Sequence, residues 1–327
     1  LADRWGRRLL VVGGPILSAV FLSLIGRAPS FGTLLLLLAI GGLGSAAFHP
    51  PGASLAVRAE SGRGSGVRHA VFSFGGAAGY AVGPLVAVGL VAHSGLEGMW
   101  IAMVPTVVLA VALYWVLPRG SGRAAGAPPP SPRVVARLLR GPLGLVFGIS
   151  AASAFVQRLF LTLEPIIVAS AGGSERTGAV VLTAYLVGQA AGTLVGGVLA
   201  DRVDRRHLLT ALCALSVPTH ALAFLLPDGG TASLAAAAAA GLVNQAILPP
   251  VVVIALELAP GSAAMSSGVV MGLAWAAGSI GVLGAGALGD LVGPVPAAVS
   301  LSPLVLLGAW LATRPALRIH GRPPEPQ

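Results

Sequence analysis

Leu1-Ala2-Asp3-Arg4-Trp5-Gly6-Arg7-Arg8 opens the chain and returns 198 positions later as Leu199-Ala200-Asp201-Arg202-Val203-Asp204-Arg205-Arg206. Further correspondences follow at an offset of 199: Pro50-Pro51 with Pro249-Pro250, Gly79 with Gly278, and Arg58 opposite Glu257. Each half therefore reads as a charged loop, an apolar run, an apolar run with a double proline, a charged end and a Gly-rich apolar run. The chain is an internal duplication. In the second half two apolar runs precede the charged loop and in the first half none does, so the repeat predicts two helices ahead of Leu1 and twelve in the intact protein.

The 327 residues are 55% hydrophobic and only 9% charged, against roughly 25% charged in an ordinary soluble domain. So little charge cannot cover a globule of this size, which excludes a water-soluble enzyme and makes lipid the solvent for most of the chain. The formal charge of +9 comes entirely from arginine, with no lysine. These arginines sit in short loops between apolar runs, which is a membrane-topology signal and not a nucleic-acid footprint. The single cysteine, Cys213, lies inside an apolar run, so there is no disulfide, metal or redox spacing, and its role is packing.

A hydrocarbon core about 30 Å thick takes roughly 20 apolar residues per helix and tolerates no unpaired backbone. Ten stretches qualify: Leu9 to Ile25, Phe31 to Val57, Val71 to Ala92, Met99 to Leu117, Leu143 to Ala171, Gly178 to Ala200, Leu208 to Leu226, Ala232 to Leu256, Met265 to Gly289 and Val295 to Ala312. Residues 1–117 form a four-helix N-terminal bundle, 118–141 a Pro- and Arg-rich flexible cytoplasmic linker, 142–313 a six-helix C-terminal bundle and 314–327 a tail. Tracing alternate loops puts seventeen of the twenty arginines on one side, with Arg27 and Arg176 opposite and Arg158 inside a helix. The Arg-rich side is cytoplasmic by the positive-inside rule, which places both ends of the chain in the cytoplasm of an inner (plasma) membrane protein.

The paired loops, between helices and on the Arg-rich side, resemble the signature loop of the major facilitator superfamily. More narrowly, Phe48-His49-Pro50 with its Ser/Gly/Arg loop, and Phe74-Gly75-Gly76 with Gly83-Pro84-Leu85, are similar to the fosmidomycin resistance family of exporters. So are Glu257-Leu258-Ala259-Pro260-Gly261 with Met265, Ser267-Gly268 and the Gly-rich run ending at Asp290. The departures are Asp204, where the first copy has Gly6, and Pro51-Gly52 after His49-Pro50. The resemblance implies an all-α, two-bundle membrane fold with the substrate path between the halves, and loop carboxylates that latch the cytoplasmic side when the protein faces outward.

Asp3 and Asp201 end helices where a carboxylate can accept hydrogen bonds from the free N–H groups of a neighbouring helix N-terminus. By the repeat, Asp3 meets the helix starting near Met265 and Asp201 the one starting near Val71. Arg58 joins Asp3, and Glu257 joins Arg202 or Arg206. With Arg7 and Arg205 of the same loops, these are the gating residues. Gly75, Gly79 and Gly83, like Gly188, Gly192 and Gly196, recur every four residues and predict faces of close helix packing. Gly284 to Gly289 matches a dinucleotide-binding spacing but follows no strand and lies in an apolar run, so it carries no nucleotide.

Arg158 lies near the middle of its helix, with Gln157 beside it and Glu164 six residues on. A charge at that depth costs about 2.5 to 3.5 kcal/mol on insertion scales and needs a wet cavity or a partner. Six residues turn a helix through about 600°, so Arg158 and Glu164 stand about 120° apart and do not pair directly. Arg158 is the first choice for substrate binding or coupling. Glu164, just before Pro165, sits nearer the outer surface with a structural role, and His49, ahead of two prolines, reads as a hydrogen-bonded structural histidine that can titrate near neutral pH. Tyr185, Gln189, Asn244 and Gln245 are buried polar candidates.

The expectation is a secondary transporter, monomeric, with no cofactor, acting on a small-molecule substrate and protons across the bilayer, and most simply exporting a drug-like or anionic compound. An importer of the same superfamily and a non-transporting truncated protein are the alternatives. Neither a metalloprotease nor a nucleophile-elbow spacing points to an intramembrane enzyme. The Arg asymmetry sets a direct test of orientation. In a Cys213→Ala background, cysteines placed at Arg63, Arg123 or Arg205 should resist an impermeant thiol reagent added outside intact cells and react after permeabilisation. External labelling of Arg123→Cys would reverse the topology.

Overall fold

The computed structural model describes residues 7–58, 65–117, 132–258 and 266–318. Ten helical segments among them are long and apolar enough to cross a membrane, and no strand occurs among the described residues. In chain order the helices are α1 (Arg7–Ser23), α2 (Phe31–Arg58), α3 (Ser65–Ser94), α4 (Met103–Val116), α5 (Pro132–Leu139), α6 (Pro142–Ser170), α7 (Glu175–Arg202), α8 (Arg205–Leu225), α9 (Thr231–Gln245), α10 (Leu248–Leu258), α11 (Ala274–Val292), α12 (Pro294–Leu301) and α13 (Leu306–Ala312). Several spans are composite. α9 and α10 together cross once, as do α12 and α13, and a π-helical turn over Gly268–Leu273 leads into α11. Two compact units result, Leu1–Gly79 with Leu85–Pro128, and Tyr80–Pro84 with Pro129–Gln327.

In the first unit α1 packs on α2 through glycine. A Cβ on Gly14 would meet the Gly44 carbonyl, and one on Gly44 would meet Gly14 and Ser18. Ser18 Oγ donates to the Gly41 carbonyl at 2.7 Å. At one end of α1 the Arg8 guanidinium lies 3.9 Å from the Tyr114 ring centroid and donates to the Tyr114 carbonyl. At the other end Arg27 lies over Trp100 and donates from Nε to the Glu97 carbonyl at 2.9 Å. Arginine on an aromatic face at each end suits the two membrane–water interfaces.

The second unit is built on α6, where Val146, Ile149, Val156, Leu159 and Phe160 are fully buried. Against it stand α7 and α9, which run in the same direction and share a seam of small residues. A Cβ on Gly188, Gly192 or Gly196 would land on the backbone of Ala238, Leu242 or Ala246, and one on Gly241 would land on the Tyr185 carbonyl. Ser174 caps α7 by accepting from Thr177 N at 3.1 Å. Asp204, the residue that departs from Gly6 of the first copy, caps α8 by accepting from the backbone N–H groups of Arg206 at 3.0 Å and His207 at 2.9 Å. An N-cap of this kind contributes about 1 kcal/mol.

Three expectations need correction. The stretch read as a flexible linker contains α5, because Val134, Val135, Leu138 and Leu139 fall on one side of a helix and Arg133 and Arg137 on the other; Leu138 and Leu139 pack on the core of the second unit. The face expected at Gly75, Gly79 and Gly83 meets nothing within 4 Å among the described residues. Its counterpart Gly278 is pressed against Ala154 and Phe155 of α6. The span expected as one helix from Ala232 to Leu256 is broken at Ala246 and Ile247.

The seam between α7 and α9 makes a sharp stability test. Gly192→Val places a branched side chain against backbone that cannot rotate away, so the melting temperature in detergent should fall by the equivalent of about 1 to 3 kcal/mol or more. Gly197→Ala, whose Cβ meets nothing within 4 Å, should melt like the parent. Equal melting of the two variants would show that the seam does not hold the unit together.

Candidate functional site

The face of α6 that carries Ser150, Ser153, Ala154 and Gln157 lines a small cleft with room for about one water molecule, bordered by Asn244 and Gln245 at the end of α9, by the start of α10 and by Trp275 of α11. Half of this polar lining is already engaged. Ser150 Oγ donates to the Val270 carbonyl in the π-helical turn at 2.5 Å, Asn244 Nδ2 donates to the Ser153 carbonyl at 3.1 Å, and Ser153 Oγ points back to the Asn244 carbonyl at 3.5 Å. Gln157, Gln245 and Trp275 are half-buried. So the structure brings together three residues singled out from the sequence, Gln157, Asn244 and Gln245, with three that sequence reasoning missed.

Arg158 is not part of this lining. One residue is about 100° of helix, and that rotation turns Arg158 away from this face. It is half-buried, and its guanidinium makes no hydrogen bond among the described residues. Glu164 is fully buried, and neither carboxyl oxygen has a hydrogen-bond partner among the described residues. Pro165 beside it packs toward Gly178 of α7, which explains the burial.

Tyr185 anchors a buried aromatic cluster. Its ring stacks on Phe160 with centroids 4.1 Å apart, and Phe224 lies 5.4 Å from Phe160. His220 stands 2.8 Å by Nδ1 from the Ser216 carbonyl and 3.2 Å by Nε2 from the Tyr185 hydroxyl. A carbonyl can only accept, so Nδ1 carries the proton and Nε2 of the neutral ring accepts from Tyr185. Gln189, one turn beyond Tyr185, is 6% exposed with no partner for its Nε2 among the described residues. His220 and Ser216 were not among the sequence candidates, although their spacing of four residues in an apolar run is a legible polar pair.

At the ends of α7, α8 and α10, Arg205 is 4% exposed. It donates from Nη1 to Glu257 Oε1 at 2.8 Å and from Nε to the Ala200 carbonyl at 3.1 Å. Glu257 was expected to join Arg202 or Arg206. Arg205 takes that place because it begins α8 facing the ends of α7 and α10. Arg206, one step round the helix, donates instead to the carbonyls of Ala312 at 3.1 Å and Thr313 at 2.8 Å, closing the C-terminus of α13. Asp201 and Arg202 are exposed at the end of α7. Arg7, His49 and Arg58 lie on α1 and α2 but their side chains fall outside the described residues, as does Asp3 altogether.

The family model for the major facilitator superfamily matches residues 1–159 and again 145–327. The chain belongs to the major facilitator superfamily. It is 30% identical over 309 residues to the MFS-type transporter YfnC of Bacillus subtilis, covering 89% of this chain and 73% of that protein. It is 28% identical over 281 residues to the fosmidomycin resistance protein of Escherichia coli, covering 82% and 67%. Among solved structures, a bacterial homologue of the human lysosomal transporter Spinster, inward-facing and occupied, superposes with a TM-score of 0.68 at 20% identity over 98% of this chain and 82% of that one. The E. coli fucose:proton symporter FucP gives 0.63 at 14% identity over 98% and 86%. The protein is thus a multi-pass MFS transporter, and the duplicated loop is the superfamily's own repeat.

In this transporter Glu257→Ala removes the carboxylate facing a nearly buried guanidinium. Because Glu257 is 40% exposed, water replaces part of the interaction, and the expected loss is about 1 to 3 kcal/mol by thermal or chemical denaturation in detergent. Glu257→Gln keeps an acceptor for Arg205 and should lose less. A Glu257→Ala protein as stable as the parent would remove this pair from the forces holding α7, α8 and α10 together.

Proposed function

We propose that the protein is a secondary active transporter that works by alternating access and exports a small drug-like or anionic molecule in exchange for protons. The observation that carries this reading is the pair of uncompensated ionisable groups on α6: a half-buried guanidinium at Arg158 with no hydrogen bond and a fully buried carboxyl at Glu164 with no partner, both among the described residues. Within a membrane span such groups are costly, and a fold retains them where they act on ions or substrate. Arg158 supplies positive charge for an anionic group. Glu164 supplies an acid that can gain and lose a proton inside the bundle. The kinship with a protein named for fosmidomycin resistance supports export over import. Asp3, Arg7, Arg58, Asp201, Arg202, Arg205, Arg206 and Glu257 are the gating set in this reading. Arg205 and Glu257 hold helix ends in register within the second unit, and the two aspartates supply the latch.

Reconstituted protein with labelled fosmidomycin as the probe tests the reading. Exchange predicts accumulation in vesicles whose lumen is more acidic than the medium, and none when the gradient is reversed; a proton-driven importer gives the opposite pattern. Arg158→Gln should lower uptake at least tenfold, with Arg158→Lys retaining part of it because charge survives and only the planar fork is lost. Glu164→Gln should abolish gradient-driven accumulation while leaving downhill exchange. Well-folded Arg158→Gln protein that accumulates the probe like the parent would refute the assignment.

A further inference from the structure

α5 separates charge from apolar surface more sharply than any other described helix. Arg133, Arg137 and Arg140, the last just beyond its end, are spaced four and three residues apart. At about 100° per residue they fall within about 60° of one another. Val134, Val135, Leu138 and Leu139 occupy the opposite side of the turn, and Leu138 and Leu139 pack on the core of the second unit. A Cβ on Gly144 would land on the Leu139 carbonyl, so the turn through Arg140 and Gly141 folds α5 tightly onto the start of α6. The helix is docked by one side, and its arginine stripe is left facing outward.

Nothing among the described residues accounts for that stripe. All three arginines are exposed, and none of their guanidinium groups has a hydrogen bond or ion pair with any described residue. No acidic residue occurs between Glu97 and Glu164 in the sequence. At this end of the second unit Asp204 is occupied in capping α8 and Glu257 in holding Arg205. Helix stability does not explain Arg133 either, because a cation in the first turn opposes the helix dipole and no acidic residue of that turn offsets it.

Neighbouring helices fix the level at which the stripe stands. α13 runs beside the start of α6, where a Cβ on Gly148 would meet Leu311. At that level Trp310 is 53% exposed, and Arg314 lies 3.5 Å from its ring centroid. An exposed tryptophan carrying a cation marks a membrane–water interface. From Gly148 to the end of α6 at Ser170 the helix rises about 33 Å, which matches a hydrocarbon core about 30 Å thick. The residues before Gly148 therefore stand in the headgroup layer, and α5, joined to them at Gly141, lies among the phosphates. We propose that Arg133, Arg137 and Arg140 form a binding surface for the phosphodiester headgroups of anionic phospholipids in the leaflet on the Arg-rich side. The planar forks of arginine receive phosphate oxygens in pairs. Through Leu138 and Leu139 the bound headgroups fasten the core of the second unit to that leaflet. The binding requires no transport.

Native mass spectrometry of the whole purified chain, offered equal amounts of phosphatidylglycerol and phosphatidylcholine with the same acyl chains, tests the assignment. Phosphatidylglycerol should be retained in preference by about tenfold or more, and Arg133→Gln/Arg137→Gln/Arg140→Gln should lower that preference about fivefold or more. Lysine at the same three positions should keep part of it, because charge survives without the planar fork. Arg176→Gln, at the start of α7, should leave it unchanged. Equal retention of the two lipids by the parent would overturn the proposal, and so would a preference unchanged in the glutamine variant. Displacement of the lipid by inorganic phosphate or polyglutamate at the lipid's own concentration would also overturn it, by assigning the stripe to a free anion or to an acidic protein. A second measurement does not depend on the glutamine variant folding. Cys213→Ala/Ala136→Cys, labelled with bimane beside the stripe, is reconstituted in vesicles of phosphatidylglycerol and phosphatidylcholine. A phospholipid with a nitroxide on its headgroup should quench the bimane more than one with a nitroxide at the end of its acyl chain. Equal or reversed quenching, or none, would remove α5 from the headgroup layer and overturn the proposal.

Discussion

The direct contact of backbone with backbone between α7 and α9 is the constraint on which the second unit depends. Gly188, Gly192 and Gly196 leave no side chain between their own helix and the carbonyls of Ala238, Leu242 and Ala246. In a bilayer the hydrophobic effect does not press helices together, because lipid tails are as apolar as leucine; close van der Waals contact takes over that role. With the two helices this near, the positions of Tyr185 and Asn244 follow. Gly241 lies on the Tyr185 carbonyl, which aims the phenol at Phe160 and His220, and Asn244 comes within reach of the Ser153 carbonyl on α6. The cleft and the aromatic cluster are both consequences of one seam.

α6 then distributes chemistry by angle. Positions 150, 153 and 157 share one face and carry uncharged polar groups toward α9 and α11. Arg158 is turned about 100° away from that face. Glu164 follows Gln157 by seven residues, so it lies within about 20° of that same face, two turns further along, and is completely buried. A single helix therefore carries uncharged polar groups and an acid along one stripe and a cation on an adjacent face. The roughly 120° between Arg158 and Glu164 also explains why the cation and the acid do not neutralise each other within α6.

The fold was legible because membrane helices obey two sequence-visible constraints, length and apolarity, and because the duplicated loop supplied independent registration of the halves. Of the candidate residues, Gln157, Asn244 and Gln245 were legible as polar residues in apolar runs, and the structure places all three on one cleft. Ser150, Ser153 and Trp275 escaped because serine and tryptophan are common in membrane helices, and only the i, i+3, i+7 spacing of Ser150, Ser153 and Gln157 would have shown a polar stripe. The partner of Glu257 was not legible. Three arginines within five residues carry the same charge, and the choice of Arg205 depends on where α8 begins, which the N-cap at Asp204 decides. The burial of Glu164 was not legible for a related reason. Distance along the helix measures height in the membrane, whereas burial depends on the helix opposite, here the Gly178 surface of α7.

The double proline shows how context decides the outcome of an identical dipeptide. Pro50-Pro51 lies inside the unbroken α2, while Pro249-Pro250 follows the break between α9 and α10. Both pairs remove the same two N–H groups from the helix ladder, so proline alone does not set the difference. In the second half α7 lies alongside the break. The carbonyl released by Pro250 is that of Ala246, and it lies where a Cβ on Gly196 would stand. Glycine Cα–H groups offer such a carbonyl weak but favourable contacts, so the helix can turn there without leaving an acceptor stranded in an apolar environment. The residue matching Ala246 in the first half is Ala47, which lies within the unbroken α2. The break at Ala246 and Ile247 thus falls where the α7 seam can take up the released carbonyl.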